Sequence, residues 1–401
     1  MFQYIKNGSV TSVKGFKAAG IYSGIKKKKK DLALIYSEQE CSAAGTFTLN
    51  KVKAAPLLIS KQIINNGNKV KAVLVNSGNA NACTGEQGHE DAILAQKVCA
   101  EKLGIAQQEV LVASTGVIGQ RLPMDVLIHG INQIVPELSF TGGIDANEAI
   151  LTTDKKIKAF AVEGVVNDKV ITVGGISKGS GMIMPNMATM LAFIGTDVSI
   201  DNSLLQKALS EAVSCTFNKI SVDGETSTND MVIVMANGIS GVEIKAGSEE
   251  YNIFYEMLEA VCRDMAKAIV SDGEGATKLV TLSIKNAKTK ADADIVGKTI
   301  SNSPLVKTAI HGADANWGRI LSSIGMSGAD IDPAEVSIKF NDLEILSPGY
   351  KLSLDEKAAS AILSKSEFTI NIDLGAGSES ATWWTCDFSE EYISINADYR
   401  S

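Results

Sequence analysis

Short apolar runs broken by glycine, asparagine and proline recur along this chain, and they alternate with stretches of helical periodicity. That alternation constrains the fold most, because a strand faces one side every second residue and a helix about every 3.6. V-K-A-V-L-V-N at 70–76 reads as a strand, and the S-G-N-A-N-A after it reads as a loop of small polar residues. Residues 90–103 carry apolar side chains at helical spacing and stop at Gly104, a residue suited to a left-handed C-cap. Further strands are expected at 109–113, twice within 158–173 around a turn at Asn167-Asp168, and at 189–199, 231–235, 280–285 and 368–373. Helices are expected from Asp201 or Asn202 to about 217, over 249–270 and near 356–364. Strands and helices in this order, without strict βαβ spacing, imply a layered α/β or α+β fold. At 401 residues the chain is long for one core, and its composition shifts near 275. Two domains are therefore expected, 1–275 and a smaller 276–401, with no internal repeat.

Charge and residue usage narrow the function. A net charge of −8 disfavours a nucleic-acid partner, which needs a basic face. The five-lysine run Lys26–Lys30 reads as a solvated turn between two strands, with an anion patch as the other reading. No apolar stretch approaches the roughly 20 residues that span a bilayer. The six cysteines form no C-x-x-C, and M-F-Q-Y-I-K-N-G is no signal segment, so reduced thiols in a cytoplasmic protein are expected. Three scattered histidines, His89, His129 and His311, disfavour both a metal site and a histidine-dependent triad.

Three stretches carry candidate chemistry. G-G-I-S-K-G-S-G at 174–181 looks like a phosphate loop, but Lys178 comes one residue too early for a Walker motif, which disfavours an NTPase. K-G-S-G-M-I-M-P-N-M-A-T-M-L at 178–191 places Thr189 after small Ala188, between a Gly/Pro loop and an apolar run. A threonine hydroxyl needs a base to become a nucleophile. Cleavage before Thr189 would supply its own α-amine, which titrates near 7.7–8.0 in roughly the working range. A plain strand-entry threonine is the competing reading. A-S-T-G-V-I-G at 113–119 offers the hydroxyl of Thr115 beside Gly116, a pair able to hold an oxyanion.

The segment around Thr189 resembles the self-cleaving segment of the ornithine acetyltransferase (glutamate N-acetyltransferase) family of arginine biosynthesis. The resemblance extends through G-F-K-A-A-G-I at 15–21, A-A-G-T-F-T-L-N-K-V-K-A-A-P at 43–56 and V-N-S-G-N-A-N-A-C-T-G at 75–85. It continues in S-T-G-V-I-G at 114–119, G-A-D-A-N-W-G-R-I at 312–320 and I-N-A-D-Y-R-S at 395–401. It implies a self-cleaving, N-terminal-nucleophile-like architecture, cut between Ala188 and Thr189, with α and β chains from one precursor in an α2β2 heterotetramer. Thr189 would carry the acetyl group, and Thr115 with Gly116 would stabilise the oxyanion. Thr152 or Thr153, Lys178, Thr189, Glu274, Asn396 and Ser401 would bind substrate. The implied reaction moves acetyl from N2-acetylornithine to glutamate without a metal or bound cofactor, and acetyl-CoA is a possible second donor. The alternative within a related architecture is an aminopeptidase or amidase that passes the acyl group to water.

Overall fold

The structure is a computed structural model describing residues 2–184 and 190–398. It divides into two compact units, one of residues 2–182, 190–218 and 225–269, the other of 183–184, 219–224 and 270–398. The chain thus enters the second unit briefly at two places that no composition shift marks. Both units are mixed α and β, each built on its own sheet.

Strands are β1 (Phe2–Tyr4), β2 (Phe16–Ile21), β3 (Leu32–Phe47), β4 (Val70–Asn79), β5 (Val110–Val117), β6 (Lys158–Val166), β7 (Lys169–Lys178), β8 (Leu191–Thr196), β9 (Ile220–Ser221) and β10 (Met231–Ala236). Among the described residues the first sheet runs β1-β6-β7-β8-β10-β3-β4-β5, with β2 also on β3. Sixteen-residue β3 joins its two halves: residues 32–36 lie between β2 and β4, and 42–47 pair with β10. The central strands are buried along nearly their whole length, which is why they read as continuous apolar runs. Asn167 and Asp168 turn β6 into β7 with φ of 49° and 60°, the geometry of a two-residue hairpin. β7 continues through G-G-I-S to Lys178, so those glycines lie inside a strand. A Cβ on Gly174 would sit 2.4 Å from the Ser9 carbonyl, and one on Gly175 would sit 2.7 Å from that of Phe193. Close packing therefore accounts for the glycines that suggested a phosphate loop.

Helix α1 (Ala55–Asn65) packs on β5 and β3, α2 (Gly85–Leu103) ends at Gly104 with φ 69°, and α3 (Met124–Ile134) and α4 (Gly143–Ile150) lie against β2 and β3. Asp201 caps α5 (Asn202–Cys215) by accepting the amides of Ser203 and Leu204. The long helix is α6 (Glu249–Ser271). The lysine run does join β2 to β3, but it is more than a solvated turn. Buried Asp31 accepts the amides of Ser23, Gly24 and Lys26, which shapes the loop. Lys30 pairs with Asp145 and Glu148, and Lys27, Lys28 and Lys29 are exposed.

The second unit holds β11 (Leu279–Ala287), β12 (Ser337–Phe340), β13 (Leu343–Ser347), β14 (Lys351–Leu352), β15 (Glu367–Asp373) and β16 (Glu379–Cys386). Its sheet runs β14-β13-β12-β15-β11-β16-β9. Helices α7 (Lys290–Ser301), α8 (Pro304–His311), α9 (Trp317–Gly325) and α10 (Glu356–Leu363) contribute to its core with Val280, Leu282, Val296, Ile320 and Phe340. A final helix, α11 (Glu390–Ala397), carries Asn396. No helix among the described residues is long and apolar enough to cross a membrane.

Candidate active site

β4 and β5 run parallel, with Ser77 opposite Thr115 and Gly78 opposite Gly116. The S-G-N and S-T-G stretches are therefore strand, and the loop expected from residue 77 begins only after Asn79. At Asn79 the register slips, and that residue pairs with both Thr115 and Val117. Gly116 has φ +133°, and a Cβ there would lie 2.3 Å from the Gly78 carbonyl carbon and 2.5 Å from the Asn79 nitrogen. Glycine is thus imposed by the neighbouring strand as well as by the backbone angle.

Buried polar side chains hold this irregular end. Ser114 donates to Asn76 Oδ1 at 2.5 Å, and Asn76 Nδ2 donates to the Asn79 carbonyl at 2.9 Å. Asn229 Nδ2 reaches the carbonyls of Ala80 and Ser114 at 2.6 and 2.8 Å. Carbonyls buried at a broken register need donors, and these amides supply them. Sequence reasoning assigned no role to Asn76 or Asn229. The available signal was a polar amide at the end of an apolar run in V-L-V-N and just before one in N-D-M-V-I-V.

Lys178 ends β7, where it stands opposite Leu191 of β8. Its Nζ donates to Thr152 Oγ1 at 2.9 Å and to Thr115 Oγ1 at 3.4 Å. Thr115, Thr152 and Lys178, named from three separate segments, therefore meet in the first unit. Of the two threonines in T-T-D, Thr152 is the one whose hydroxyl meets Lys178, while Thr153 stands beside it, half-buried.

Beneath this group lies Asp154, which was not singled out. Its Oδ1 accepts Lys158 Nζ at 2.8 Å and the Gly179 amide at 2.7 Å. Its Oδ2 accepts the Thr152 amide at 3.0 Å and lies 3.9 Å from Lys178 Nζ. Burial alone would raise this carboxyl, but the charges of Lys178 and Lys158 hold it well below the usual carboxylate range. Lys26 Nζ donates to the Leu151 carbonyl at 2.5 Å, so it braces the same loop from the other side. Burial lowers the Lys26 ammonium to about 8; Asp31 partly offsets this, and the charge of Lys178 adds to it.

Glu274 and Asn396 meet within the second unit, where Asn396 Nδ2 donates to Glu274 Oε2 at 2.8 Å. Ile395 and Tyr399 stand four residues apart, a spacing that suggests an anchor for the tail, but Tyr399 lies outside the described residues. The described anchor is Tyr392, whose ring lies 4.4 Å from that of Phe388 and whose hydroxyl donates to Asp223 at 3.3 Å. Ala188, Thr189 and Ser401 also lie outside the described residues. The next residue after Thr189, Met190, donates its amide to Asp230 Oδ1 at 2.8 Å. Asp230 is fully buried, and burial pushes its carboxyl well above the ordinary range, which favours the neutral acid.

Other nucleophiles and ligands are less well placed. Burial pushes the thiols of Cys41 and Cys99 up to about 12. His311 pairs with Asp387 at 2.7 Å in the second unit. No group of three His, Cys, Asp or Glu among the described residues could hold a metal ion.

Comparison with known proteins adds to this geometry. Residues 17–401 match the ArgJ family. The chain is 48% identical to the arginine biosynthesis bifunctional protein ArgJ of Caldanaerobacter subterraneus subsp. tengcongensis, covering 99% of this chain and 100% of that protein. It is 48% identical to the protein of the same name from Chlorobaculum tepidum, covering 96% of each. Among solved structures it is similar to ArgJ from Bacillus halodurans at 48% identity, over 46% of this chain and 97% of that one, with a TM-score of 0.44. Ornithine acetyltransferase from Mycobacterium tuberculosis, complexed with ornithine, is similar at 40% identity, over 46% of this chain and 98% of that one, with a TM-score of 0.44. With near-complete coverage at this identity, and a family match that spans the Thr115, Thr152, Lys178, Glu274 and Asn396 positions, the chain belongs to the ArgJ family.

Proposed function

We propose that this protein is an acetyltransferase of arginine biosynthesis that moves the acetyl group of N2-acetylornithine to glutamate through an ester on Thr189. Family membership supports the reaction, since full-length relatives are named arginine biosynthesis bifunctional proteins. The observation that carries the site assignment is the register of β7 and β8. Lys178 faces Leu191, two residues beyond Thr189, and the Lys178 ammonium already holds the hydroxyls of Thr115 and Thr152.

In this reading the Ala188–Thr189 bond is cut first, when the Thr189 hydroxyl attacks the preceding carbonyl and water hydrolyses the resulting ester. The freed α-amine then serves as base for its own hydroxyl. Thr189 attacks the acetyl carbonyl of acetylornithine, ornithine leaves with the proton on its amine, and the ester stays on the enzyme. The amine of glutamate then attacks the ester, which releases N-acetylglutamate and restores the hydroxyl. Thr115 and the Gly116 amide stabilise the oxyanion in both halves. Lys178 binds a substrate carboxylate with Thr152, while Glu274, Asn396 and Ser401 bind the remaining polar groups. No metal or bound cofactor takes part. The relatives' name calls them bifunctional; in this reading the second activity is acetylation of glutamate from acetyl-CoA, and the two cleaved chains assemble as α2β2.

Steady-state kinetics test the reading. One nucleophile serving two half-reactions gives parallel double-reciprocal lines for acetylornithine and glutamate. Intersecting lines would mean direct transfer in a ternary complex and would remove the ester.

A further inference from the structure

We propose that the loop carrying Tyr22 and Lys27, Lys28 and Lys29 binds the nucleotide end of acetyl-CoA, with the phosphates on the lysines and the adenine on the tyrosine. The inference rests on the reading of acetyl-CoA as the second acetyl donor and gives that donor a recognition surface.

The loop is fastened to the candidate site and held at both ends of its lysine run. Buried Asp31 accepts the Ser23 amide and hydroxyl at 2.6 and 2.7 Å, the Gly24 amide at 3.1 Å and the Lys26 amide at 2.8 Å. The Lys26 side chain lies against β4, where a Cβ on Gly78 would meet its Cγ at 2.9 Å, and Gly78 stands opposite Gly116 of the oxyanion pair. Lys26 Nζ donates to the carbonyl of Leu151, the residue before Thr152. At the far end Lys30 pairs with Asp145 and Glu148. The three lysines between are exposed, and their side chains make no hydrogen bond or ion pair among the described residues. They lie within roughly 11 Å of Lys26, the reach of three extended residues.

Consecutive ammonium groups repel one another, and Lys29 also acts against the charge of Lys26. An anion bound across them relieves that repulsion. The chain as a whole is acidic, with a net charge of −8, so this run is a local exception beside the site. Neither acetylornithine nor glutamate carries a phosphate. Acetyl-CoA carries a diphosphate and a ribose phosphate, which lysines recognise as point charges. Its pantetheine arm lets the thioester enter the site while the nucleotide stays at the rim. Tyr22 supplies the second half of the surface. It is 52% exposed, and its hydroxyl donates to the Lys27 carbonyl at 3.4 Å, so an aromatic ring stands next to the lysines. A purine stacks on such a ring.

The test is the rate of glutamate acetylation by the purified full-length protein with three donors: acetyl-CoA, S-acetylpantetheine, which lacks the nucleotide, and acetylornithine. Lys27→Glu/Lys28→Glu/Lys29→Glu should raise KM for acetyl-CoA by roughly 10-fold or more, the combined scale of several exposed charge pairs. Tyr22→Ala should raise it by roughly 5-fold or more, the loss of one stacked base. Both variants should keep wild-type KM for S-acetylpantetheine and acetylornithine. A wild-type KM for acetyl-CoA in either variant overturns the inference, and so does an equal rise with all three donors. Transfer from acetylornithine with neither transfer from acetyl-CoA nor CoA binding in the wild type overturns it and leaves the acetylornithine reaction standing. Titration calorimetry with CoA reads the same surface without turnover. CoA binding that both variants weaken, in a protein that transfers acetyl from no donor, overturns the transferase reading and leaves this inference standing.

Discussion

The Lys178 ammonium lies 2.9 Å from the Thr152 hydroxyl, and this contact joins the end of β7 to the T-T-D loop. It separates two neighbouring threonines that the motif alone left equivalent. Thr152→Val should raise KM for acetylornithine and glutamate by roughly 10-fold, the worth of a hydrogen bond to a charged group, while Thr153→Val should stay within roughly 2-fold of wild type. Equal effects of the two substitutions on KM would contradict the assignment.

Thr115 and Gly116 should fail in different ways. Thr115→Ala removes an oxyanion donor and should lower kcat by roughly 100-fold with little change in melting temperature. Gly116→Ala forces a Cβ to within 2.3 Å of the Gly78 backbone at φ +133°. It should cost about 1–3 kcal/mol of stability as well as activity. Thermal unfolding and initial rates on both variants separate the two; a Gly116→Ala protein with wild-type melting would contradict the close approach of β4 and β5.

These two strands show what was legible in the sequence. V-K-A-V-L-V and E-V-L-V-A announce themselves because the core demands apolar side chains. The continuation through S-G-N and S-T-G does not, because small polar residues read as loop when their partners lie on other segments. Asn229 comes from a segment far along the chain to satisfy Ser114 and Ala80, and its place just before an apolar run does not say which carbonyls it meets. Lys158 is harder still. In D-K-K-I-K it follows exposed Lys155 and Lys156 and shares their chemistry, yet it is buried and paired with Asp154. G-G-I-S-K misled in the opposite direction, since glycines that permit strand packing look like glycines that permit a loop.

Lys26 gives a pH signature. Its folded-state value of about 8 lies below the ordinary 10.5, so between these values the unfolded chain binds the proton more readily than the folded one. The penalty for burying this cation is full below about pH 8 and is relieved as pH rises toward 10.5. Relative to Lys26→Met, the wild type should therefore gain melting temperature over that window. Parallel curves for the two proteins between pH 8 and 10.5 would show that Lys26 is not buried as described.

The C-terminal helix should matter for substrate and not for folding. Tyr392 secures α11 through Phe388 and Asp223, and removal of residues 396–401 leaves those contacts in place. The truncated protein should melt as wild type and cleave its chain, yet lose the Asn396 contact to Glu274 and bind substrate at least roughly 10-fold more weakly. Wild-type KM after truncation would contradict the substrate role, and loss of cleavage would make the tail structural.

The account depends most on Thr189 carrying the acetyl group after the chain is cut before it. Mass spectrometry of the purified protein, before and after acetylornithine without glutamate, measures this directly. The account requires two chains, the second beginning T-M-L-A-F, with one acetyl group gained on its N-terminal peptide at Thr189 and lost again when glutamate is added. An intact chain that transfers acetyl, or an acetyl group found on any residue other than Thr189, would contradict it.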